Sequence, residues 1–395
     1  MKTKETDVLV IGAGPAGLIA AREAAKRETA VTVLEEHAEI GQPCHCAGLL
    51  SIKGLECLGL PSNEFYVQKK VKGAHFFSPS GLTFTVEREK DVACVVDRGL
   101  FDKFLANKAT ESDAQIILNE KAKSIERSKN SVSVQTEKDR YTAKMVIDAE
   151  GVSSRIIKDM GLKPIERNSA ILGIQYDLEN VDVDTEYVEV HLGKKVAPGL
   201  FAWVIPLGPD KARVGLGCKG VNPKSLLDKF IEKQFSSKHV EISEVRSGLV
   251  ITGGPIDRTF CDQFLVVGDA SGQVKPTTGG GVILGGICAS IAGRTAAEAI
   301  VHGDCSAVFL NQYETLWKKQ LGKEFRTMLL ARRILNRLSD QTLDKIFRIA
   351  AKENLQDLFS AEGDMDFQNR VLLKLFKKKE ALGALPSLLR DAVQF

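Results

Sequence analysis

The sequence predicts an α/β fold on three observations. Val8-Leu9-Val10-Ile11 reads as a buried strand running into Gly12-Ala13-Gly14-Pro15-Ala16-Gly17, a glycine-rich turn that opens a helix. Two distant apolar strands, Val146-Ile147-Asp148 and Leu265-Val266-Val267, end in comparable turns of acidic residues and glycine. Between these segments the hydrophobic residues alternate with period two, whereas everything after Leu310 follows a helical pattern. The predicted architecture is a discontinuous Rossmann-type domain (residues 1–64, 98–165 and 256–309), a β-rich layer (65–97 and 166–255) and a helical C-terminal region (310–395).

The opening unit is the most informative. Gly12 permits the tight turn, Gly14 lets backbone approach a pyrophosphate, and Gly17 lets the helix pack closely on the strand. Pro15 suits the first helical turn, with Ala16 beside it, and the helix should run to about Lys26. Its N-terminus offers unpaired N–H groups and the positive end of a dipole to phosphate. The next strand, 30–34, ends at Glu35, 18 residues beyond Gly17, where a carboxylate can accept both hydroxyls of an adenosine ribose; Glu36 adjoins it.

A polar, cysteine-containing loop then leads to about residue 60. Strand-like alternation marks 73–77, 82–86 and 93–96, a helix spans 98–112, and 116–118, 132–134 and 145–148 read as strands. Residues 168–250 are mostly strand with one helix near 223–235, and 281–302 is a helix of small residues. There is no internal repeat.

Composition narrows the function classes. The eight cysteines (44, 46, 57, 94, 218, 261, 288 and 305) follow no disulfide spacing, which suits a reducing cytoplasm. No apolar run of membrane-spanning length stands out, and the first strand starts too early for a secretory signal peptide. Net charge is +3, but residues 310–395 hold 16 Lys+Arg against 11 Asp+Glu, so the tail carries +5 and the rest −2. That balance argues against nucleic acid as a partner and leaves a peripheral contact with the inner membrane surface open to the tail.

With Glu35 in place, Asp148-Ala149-Glu150-Gly151 (running on to Arg155) and Gly268-Asp269-Ala270 resemble the remaining fingerprints of FAD proteins of the para-hydroxybenzoate-hydroxylase type. The resemblance implies FAD as cofactor. Asp269 would bond the ribityl hydroxyls, and Gly279, Gly280, Gly281 and Val282 would bring a helix start to the pyrimidine edge of the flavin, where its dipole favours the negative charge of the reduced ring. Arg98 stands where that family places an arginine against the cofactor, although an arginine at a helix start is commonly just solvated. Ala122, Asp148 and Gly151 complete the expected cofactor contacts. A second GxGxxG spelling, Gly215-Leu216-Gly217-Cys218-Lys219-Gly220 with Glu241 downstream, is not expected to bind a nicotinamide. Asn222 and Pro223 begin the next helix and leave Gly220 outside it.

Phe201-Ala202-Trp203-Val204-Ile205-Pro206, a gap of eight residues and Gly215-Leu216-Gly217 resemble the substrate-pocket motif of geranylgeranyl reductases, with Ile205 where the family has phenylalanine. Gly41-Gln42-Pro43-Cys44-His45-Cys46-Ala47-Gly48 resembles that family's cysteine loop beside the flavin, departing from its Gly-Glu-Gly-like run at Ala47-Gly48-Leu49. The resemblance extends over the whole chain. It implies reduction of isolated C=C bonds in geranylgeranyl chains of archaeal-type ether glycerolipids, by hydride from flavin N5 plus a proton. An external donor (ferredoxin, a deazaflavin or NAD(P)H) would reduce the flavin.

An isolated trisubstituted alkene has no carbonyl to accept charge, so its reduction benefits from protonation that puts positive character on a tertiary carbon. Phe201 and Trp203, on one face of a strand, could stabilise that charge, or could simply be core. Cys46 reads as proton donor, redox partner or gate, or as a small residue packed under the cofactor. No metal is expected, since Cys44, His45 and Cys46 are too close in sequence to supply a tetrahedral set. In the tail, Lys318, Lys319, Lys323, Arg326, Arg332, Arg333 and Arg337 precede Lys374, Lys377, Lys378 and Lys379 and a Leu-rich end, 382–395; they form either a basic membrane-facing surface or solvated helix faces. The rival functions are an O2-using aromatic hydroxylase, a quinone-linked dehydrogenase (which usually needs the iron–sulfur cysteines absent here) and a non-catalytic flavin protein that binds lipid or relays electrons.

Overall fold

The computed structural model describes residues 3–236 and 239–377. Its first elements are β1 (Thr3–Ile11), α1 (Pro15–Ala25), β2 (Val31–Leu34), β3 (Leu49–Ser51), α2 (Ile52–Cys57), β4 (Val67–Val71), β5 (Gly73–Phe77), β6 (Thr83–Glu87) and β7 (Ala93–Val96). Next come α3 (Arg98–Thr110), β8 (Gln115–Ile117), β9 (Ala122–Arg127), β10 (Val132–Thr136), β11 (Arg140–Asp148), β12 (Ala170–Glu179), β13 (Tyr187–His191), β14 (Ala202–Gly208), β15 (Lys211–Cys218), α4 (Pro223–Gln234) and β16 (Glu241–Ile251). The remainder holds β17 (Phe260–Cys261), β18 (Phe264–Val266), α5 (Val282–His302), α6 (Ala307–Arg337), α7 (Asp340–Lys352), α8 (Leu355–Glu362) and α9 (Asn369–Lys377).

The chain divides into two discontinuous units. The first comprises Met1–Cys44, Arg98–Ser169 and Gly253–Phe325, the second His45–Asp97, Ala170–Thr252 and Arg326–Phe395. In two places this differs from the sequence-based division. Residues 45–64 fall in the second unit, because the three-residue β3 pairs antiparallel with β7, a contact too short to leave a periodic signal. The helical tail is divided between the units instead of forming a third body.

In the first unit, β18, β11, β1, β2 and β8 run parallel in that order, with β17 antiparallel at the edge and β9–β10 as a meander off β11. Val8, Leu9, Val10, Val33, Val146 and Ile147 are fully buried, the unbroken apolar pattern of strands covered on both faces. Helices supply that cover. α5 packs on α1 so closely that a Cβ at Gly293 would lie 2.2 Å from the Ala20 carbonyl oxygen, which explains the small residues of α5. By length and composition α5 could cross a membrane, correcting the expectation that no such run exists, but 78% of its apolar window is buried within the protein. The first half of α6 is fastened by Tyr313 Oη, which donates to the Val266 carbonyl at 2.8 Å, and by Trp317 Nε1, which donates to Thr259 Oγ1 at 3.1 Å.

The second unit is built on a seven-stranded sheet of order β16-β12-β15-β14-β13-β5-β6, antiparallel except for β13–β5, with a separate β3-β7-β4 sheet. Period two gives each strand two faces. Ile174, Tyr176, Ala202, Val204, Val214 and Leu216 point to a core closed by Leu227 and Phe230 of α4. That helix is capped by Asn222, whose side chain accepts the Lys224 and Ser225 N–H groups, leaving Gly220 outside the helix. β15 therefore belongs to an antiparallel sheet, and the second glycine motif opens no phosphate-binding helix.

Candidate active site

Parallel register sets the geometry of the first unit. Ile11 lies opposite both Leu34 and Asp148, and Asp148 lies opposite Val266, so the Gly12 turn, the Glu35 turn, the Asp148 turn and the Gly268 turn leave the same edge of the sheet. Ligands of doubly wound folds bind at that carboxyl edge. Gly12 has φ +100, and Gly17 approaches it so closely that a Cβ on Gly17 would lie 1.9 Å from the Gly12 carbonyl oxygen. Gly14 differs: a Cβ there would meet no heavy atom within 4 Å. The open space in front of Gly14, at the free N-terminus of α1, fits a pyrophosphate. Pro15 and Ala16 are half-buried beside it.

Glu35 is buried and already oriented. Its Oε2 accepts the Ala13 N–H at 2.8 Å; its Oε1 accepts the His37 N–H at 3.0 Å and lies 2.6 Å from His37 Nδ1. Oε2, with the single Ala13 partner, keeps a lone pair for a ribose hydroxyl. Glu36, by contrast, is exposed and ion-paired with Lys121, and Ala122 is half-buried at the start of β9. Asp148 is fully buried; its Oδ1 accepts the Glu150 N–H at 3.0 Å while Oδ2 has no partner. Burial, with Glu150 nearby, pushes its pKa up to about 8, and burial also raises that of Glu150. Gly151 is half-buried in the turn that follows.

Asp269 sits in the short helical turn Gly268–Ser271. Burial raises its pKa, and the charge of Arg98 partly opposes that rise. Arg98 is no solvated helix-start charge. Its Nε and Nη2 donate to the two Asp102 oxygens at 3.0 and 2.9 Å, and only 12% of its side chain is exposed. A Cβ on Gly281 would come within 2.5 Å of Asp269 Oδ1, so glycine at the start of α5 lets that carboxylate keep its place. Gly280 is exposed and Val282 half-buried at the same helix start. The unfilled space at Gly14, the prepared carboxylate of Glu35 and the unpartnered Asp148 oxygen all fit a large, phosphate-bearing dinucleotide.

The second unit carries the other expected residues. Trp203 pairs with Gly215 across β14 and β15, and a Cβ on Gly215 would lie 2.6 Å from Trp203 Cζ2 and 2.6 Å from Gln175 Cβ, so the indole lies across the strand where a side chain is missing. Phe201 meets it edge-on, with ring centroids 6.0 Å apart. Leu200 fills the corresponding space over Gly217, 2.4 Å from the position of its Cβ. Phe201 and Trp203 are half-buried, whereas Ile205 and Pro206 are buried; Ile205 joins Val71, Val95 and Val188 in the apolar cluster against which Trp203 rests. Cys46 is half-buried: its Sγ accepts the Gly48 N–H at 3.4 Å, and its carbonyl accepts Gln175 Nε2 at 3.1 Å. The Ala47 carbonyl accepts Arg213 Nη1 at 2.9 Å.

Sequence reasoning missed Gln175, Asp177, Arg213 and Arg246, the polar side of this sheet. Arg213 binds both Asp177 oxygens at 2.7 and 2.9 Å, and Arg246 Nη1 adds a third bond at 2.9 Å. Burial alone would raise the Asp177 pKa, but the two guanidiniums outweigh it and hold it below the ordinary value. The only signal in the sequence was the alternation Gly173, Gln175, Asp177, because the partners lie on other strands. In the tail, Arg332 is buried and donates to the Gly199 carbonyl at 3.0 Å, so it is not part of a basic surface. Lys318 is paired with Glu314, and Lys374 with Glu362. Lys378, Lys379 and 382–395 lie outside the described residues.

The fold and its carboxyl-edge site define an FAD-dependent oxidoreductase, and residues 7–153 match the family described as FAD dependent oxidoreductase. Residues 170–250, which hold the aromatic pair, match the geranylgeranyl reductase catalytic domain. The chain is 36% identical over 363 residues to digeranylgeranylglycerophospholipid reductase 2 of Methanothermobacter thermautotrophicus, covering 89% of this chain and 93% of that one. It is also 36% identical over 351 residues to the digeranylgeranylglycerophospholipid reductase of Methanocaldococcus jannaschii, covering 86% and 89%. A geranylgeranyl bacteriochlorophyll reductase-like protein from Thermoplasma acidophilum superposes with a TM-score of 0.87 at 30% identity, covering 98% of this chain and all (100%) of that one. The chain belongs to the geranylgeranyl reductase family. The flavin-dependent brominase Bmp2, with a TM-score of 0.71 at 16% identity, shares the fold alone.

Proposed function

We propose that this protein saturates isolated double bonds in the geranylgeranyl chains of an ether-linked glycerolipid. The observation that carries the reading is Trp203, laid across Gly215 and met edge-on by Phe201, inside the segment that matches the geranylgeranyl reductase catalytic domain. Names borne by relatives aligned over most of the chain support it. Reduced FAD, when bound, supplies the hydride.

The residues of the chain do the rest. Glu35, the start of α1, Asp269 and the start of α5 bind and orient the cofactor. Val71, Val95, Val188 and Ile205 keep water from the floor beneath Trp203. The faces of Phe201 and Trp203 stabilise positive character on the tertiary carbon by about 0.5–2 kcal/mol each. Cys46, the proposed catalytic side chain, holds a proton at Sγ, with the Gly48 N–H donating to Sγ and the Gln175 amide to its carbonyl. The substrate gains one hydride and one proton, and solvent returns the proton to the thiol. The reductant comes from outside the chain, and ferredoxin, a deazaflavin and NAD(P)H are the donor classes to compare.

The decisive experiment incubates FAD-loaded, dithionite-reduced protein anaerobically with geranylgeranyl ether lipids and weighs the extracted lipid. A gain of one hydrogen pair per saturated bond is expected. Unchanged masses across several prenyl lipids overturn the reading; in a separate aerobic assay with NAD(P)H, oxidation of the nicotinamide stimulated by an aromatic acid, with peroxide release, would favour a hydroxylase instead. We also propose peripheral membrane contact through exposed cations such as Arg333 and Arg337 of α6. Liposome flotation should show salt-sensitive binding to anionic vesicles, and its absence removes the idea.

A further inference from the structure

We propose that Gln175 and Arg213 are positioning residues that fix the Cys46 thiol by holding two successive carbonyls of its loop. The two side chains stand on one face of the seven-stranded sheet, in neighbouring strands and successive rows: Gln175 pairs with Gly215, and Asp177 with Arg213. Gln175 Nε2 holds the carbonyl of Cys46 at 3.1 Å, and Arg213 Nη1 holds that of Ala47 at 2.9 Å. With both peptide planes fixed, the next N–H, that of Gly48, points back at Cys46 Sγ at 3.4 Å. Gly48 takes φ +76, and a Cβ there would strike the Val96 carbonyl oxygen at 2.4 Å. The loop is therefore held on three sides: Gln175, Arg213 and the β7 backbone.

Neither side chain is explained by packing. Gln175 is 3% exposed and its Oε1 has no partner, an unfavourable arrangement that leucine or methionine would avoid. Its amide is useful here for the bond to the loop, and its free oxygen, like the unpartnered Trp203 Nε1 across Gly215, is directed at the same face of the sheet. Arg213 is in turn aimed by Asp177, whose two oxygens bind its Nε and Nη2 and leave Nη1 for the Ala47 carbonyl. A rigid second layer of this kind holds a reactive group to within a fraction of an ångström. The role in catalysis rests on Cys46 acting in the proposed reduction; the role in fixing the loop does not.

The test uses the full FAD-loaded chain and two variants on different strands, Gln175→Leu and Arg213→Lys. Iodoacetamide labelling of Cys46 is followed residue by residue by mass spectrometry, with exposed Cys57 as internal reference. A released loop should change the Cys46 labelling rate about tenfold while Cys57 is unaffected, and kcat should fall about tenfold with little change in KM. In a Cys46→Ser background Gln175→Leu should lower kcat no further, because a residue acting through the thiol is not additive with its loss. Cys46 labelling within twofold of the parent in both variants, or a fully additive loss of kcat, overturns the inference. Full activity of Cys46→Ser alone would instead remove the catalytic reading of the thiol, and labelling would still decide the positioning.

Discussion

Replacing Gly14 by alanine separates folding from cofactor binding. Gly14 has φ −74 and ψ 176, extended backbone open to any residue, and its added Cβ would meet nothing within 4 Å. The cofactor-free variant should thus be as stable as the parent, or gain about 0.4–1 kcal/mol from a less flexible unfolded chain. If the pyrophosphate occupies that space, the methyl displaces it, and a hundredfold loss of affinity corresponds to about 2.7 kcal/mol. At free FAD near 100 times the parental Kd, the parent gains about 2.7 kcal/mol from binding and the variant about 0.4 kcal/mol. At roughly 1–2 °C per kcal/mol for a chain of 395 residues, FAD should raise the parental Tm by about 3–5 °C and that of Gly14→Ala by less than about 1 °C. Thermal melts with and without FAD, backed by a flavin fluorescence titration, measure both numbers. Gly17→Ala is the control: its Cβ would overlap the Gly12 carbonyl oxygen at 1.9 Å, so it should lower the melt even without FAD. A parental FAD-dependent gain in Gly14→Ala would refute the placement of the pyrophosphate.

Three further outcomes follow from contacts already described. Gly215→Ala pushes against Trp203 and Gln175 from 2.6 Å; it should cost about 1–3 kcal/mol in urea unfolding and abolish lipid reduction while the bound-flavin spectrum stays parental. The Asp148 pKa, raised from 3.8 to about 8, means the unfolded carboxyl loses its proton first, so this group lowers stability as pH rises from about 4 to 8 and its penalty is complete above 8. Asp148→Asn should therefore stabilise the FAD-free chain by about 1–3 kcal/mol at pH 8.5 and by almost nothing near pH 4, and equal effects at the two pH values would contradict the assignment. Asn222→Ala removes the cap of α4 and should cost about 1 kcal/mol without altering FAD binding, as urea midpoints and flavin titration would report.

Residues whose role depends on local backbone were legible in the sequence; those that depend on strand pairing were not. Gly12, Gly14, Gly17 and Glu35 belong to one strand–turn–helix–strand unit, whose spacing is fixed by the chain itself. Asp148 and Asp269 were singled out because each follows an apolar strand into an acidic, glycine-containing turn, and pairing of β1, β11 and β18 brings those turns to one edge of the sheet. Trp203 and Gly215 were singled out through a motif resemblance, and the structure supplies the physical reason for their spacing, the lateral register that lays one over the other. Gln175, Asp177 and Arg213 left only an alternation, since nothing local says which loop a side chain in mid-sheet will reach. β3 and α2 were missed because three strand residues and six helical ones carry too few repeats to show a period. Arg332 reads as one more cation in a basic helix, and only its burial shows otherwise.

The late arrival of β18 has a consequence for how this protein must be made. Val146, Ile147 and Asp148 have β1 on one side from the start, but their neighbours on the other side are Phe264, Leu265 and Val266. At about 5–20 residues per second, a ribosome needs roughly 6–23 s to bridge that gap. During that time an apolar strand edge waits uncovered, open to chaperones and to other nascent chains. Truncation anywhere before residue 264 leaves the edge open for good, so loss of the C-terminal third should yield insoluble material instead of a smaller working protein.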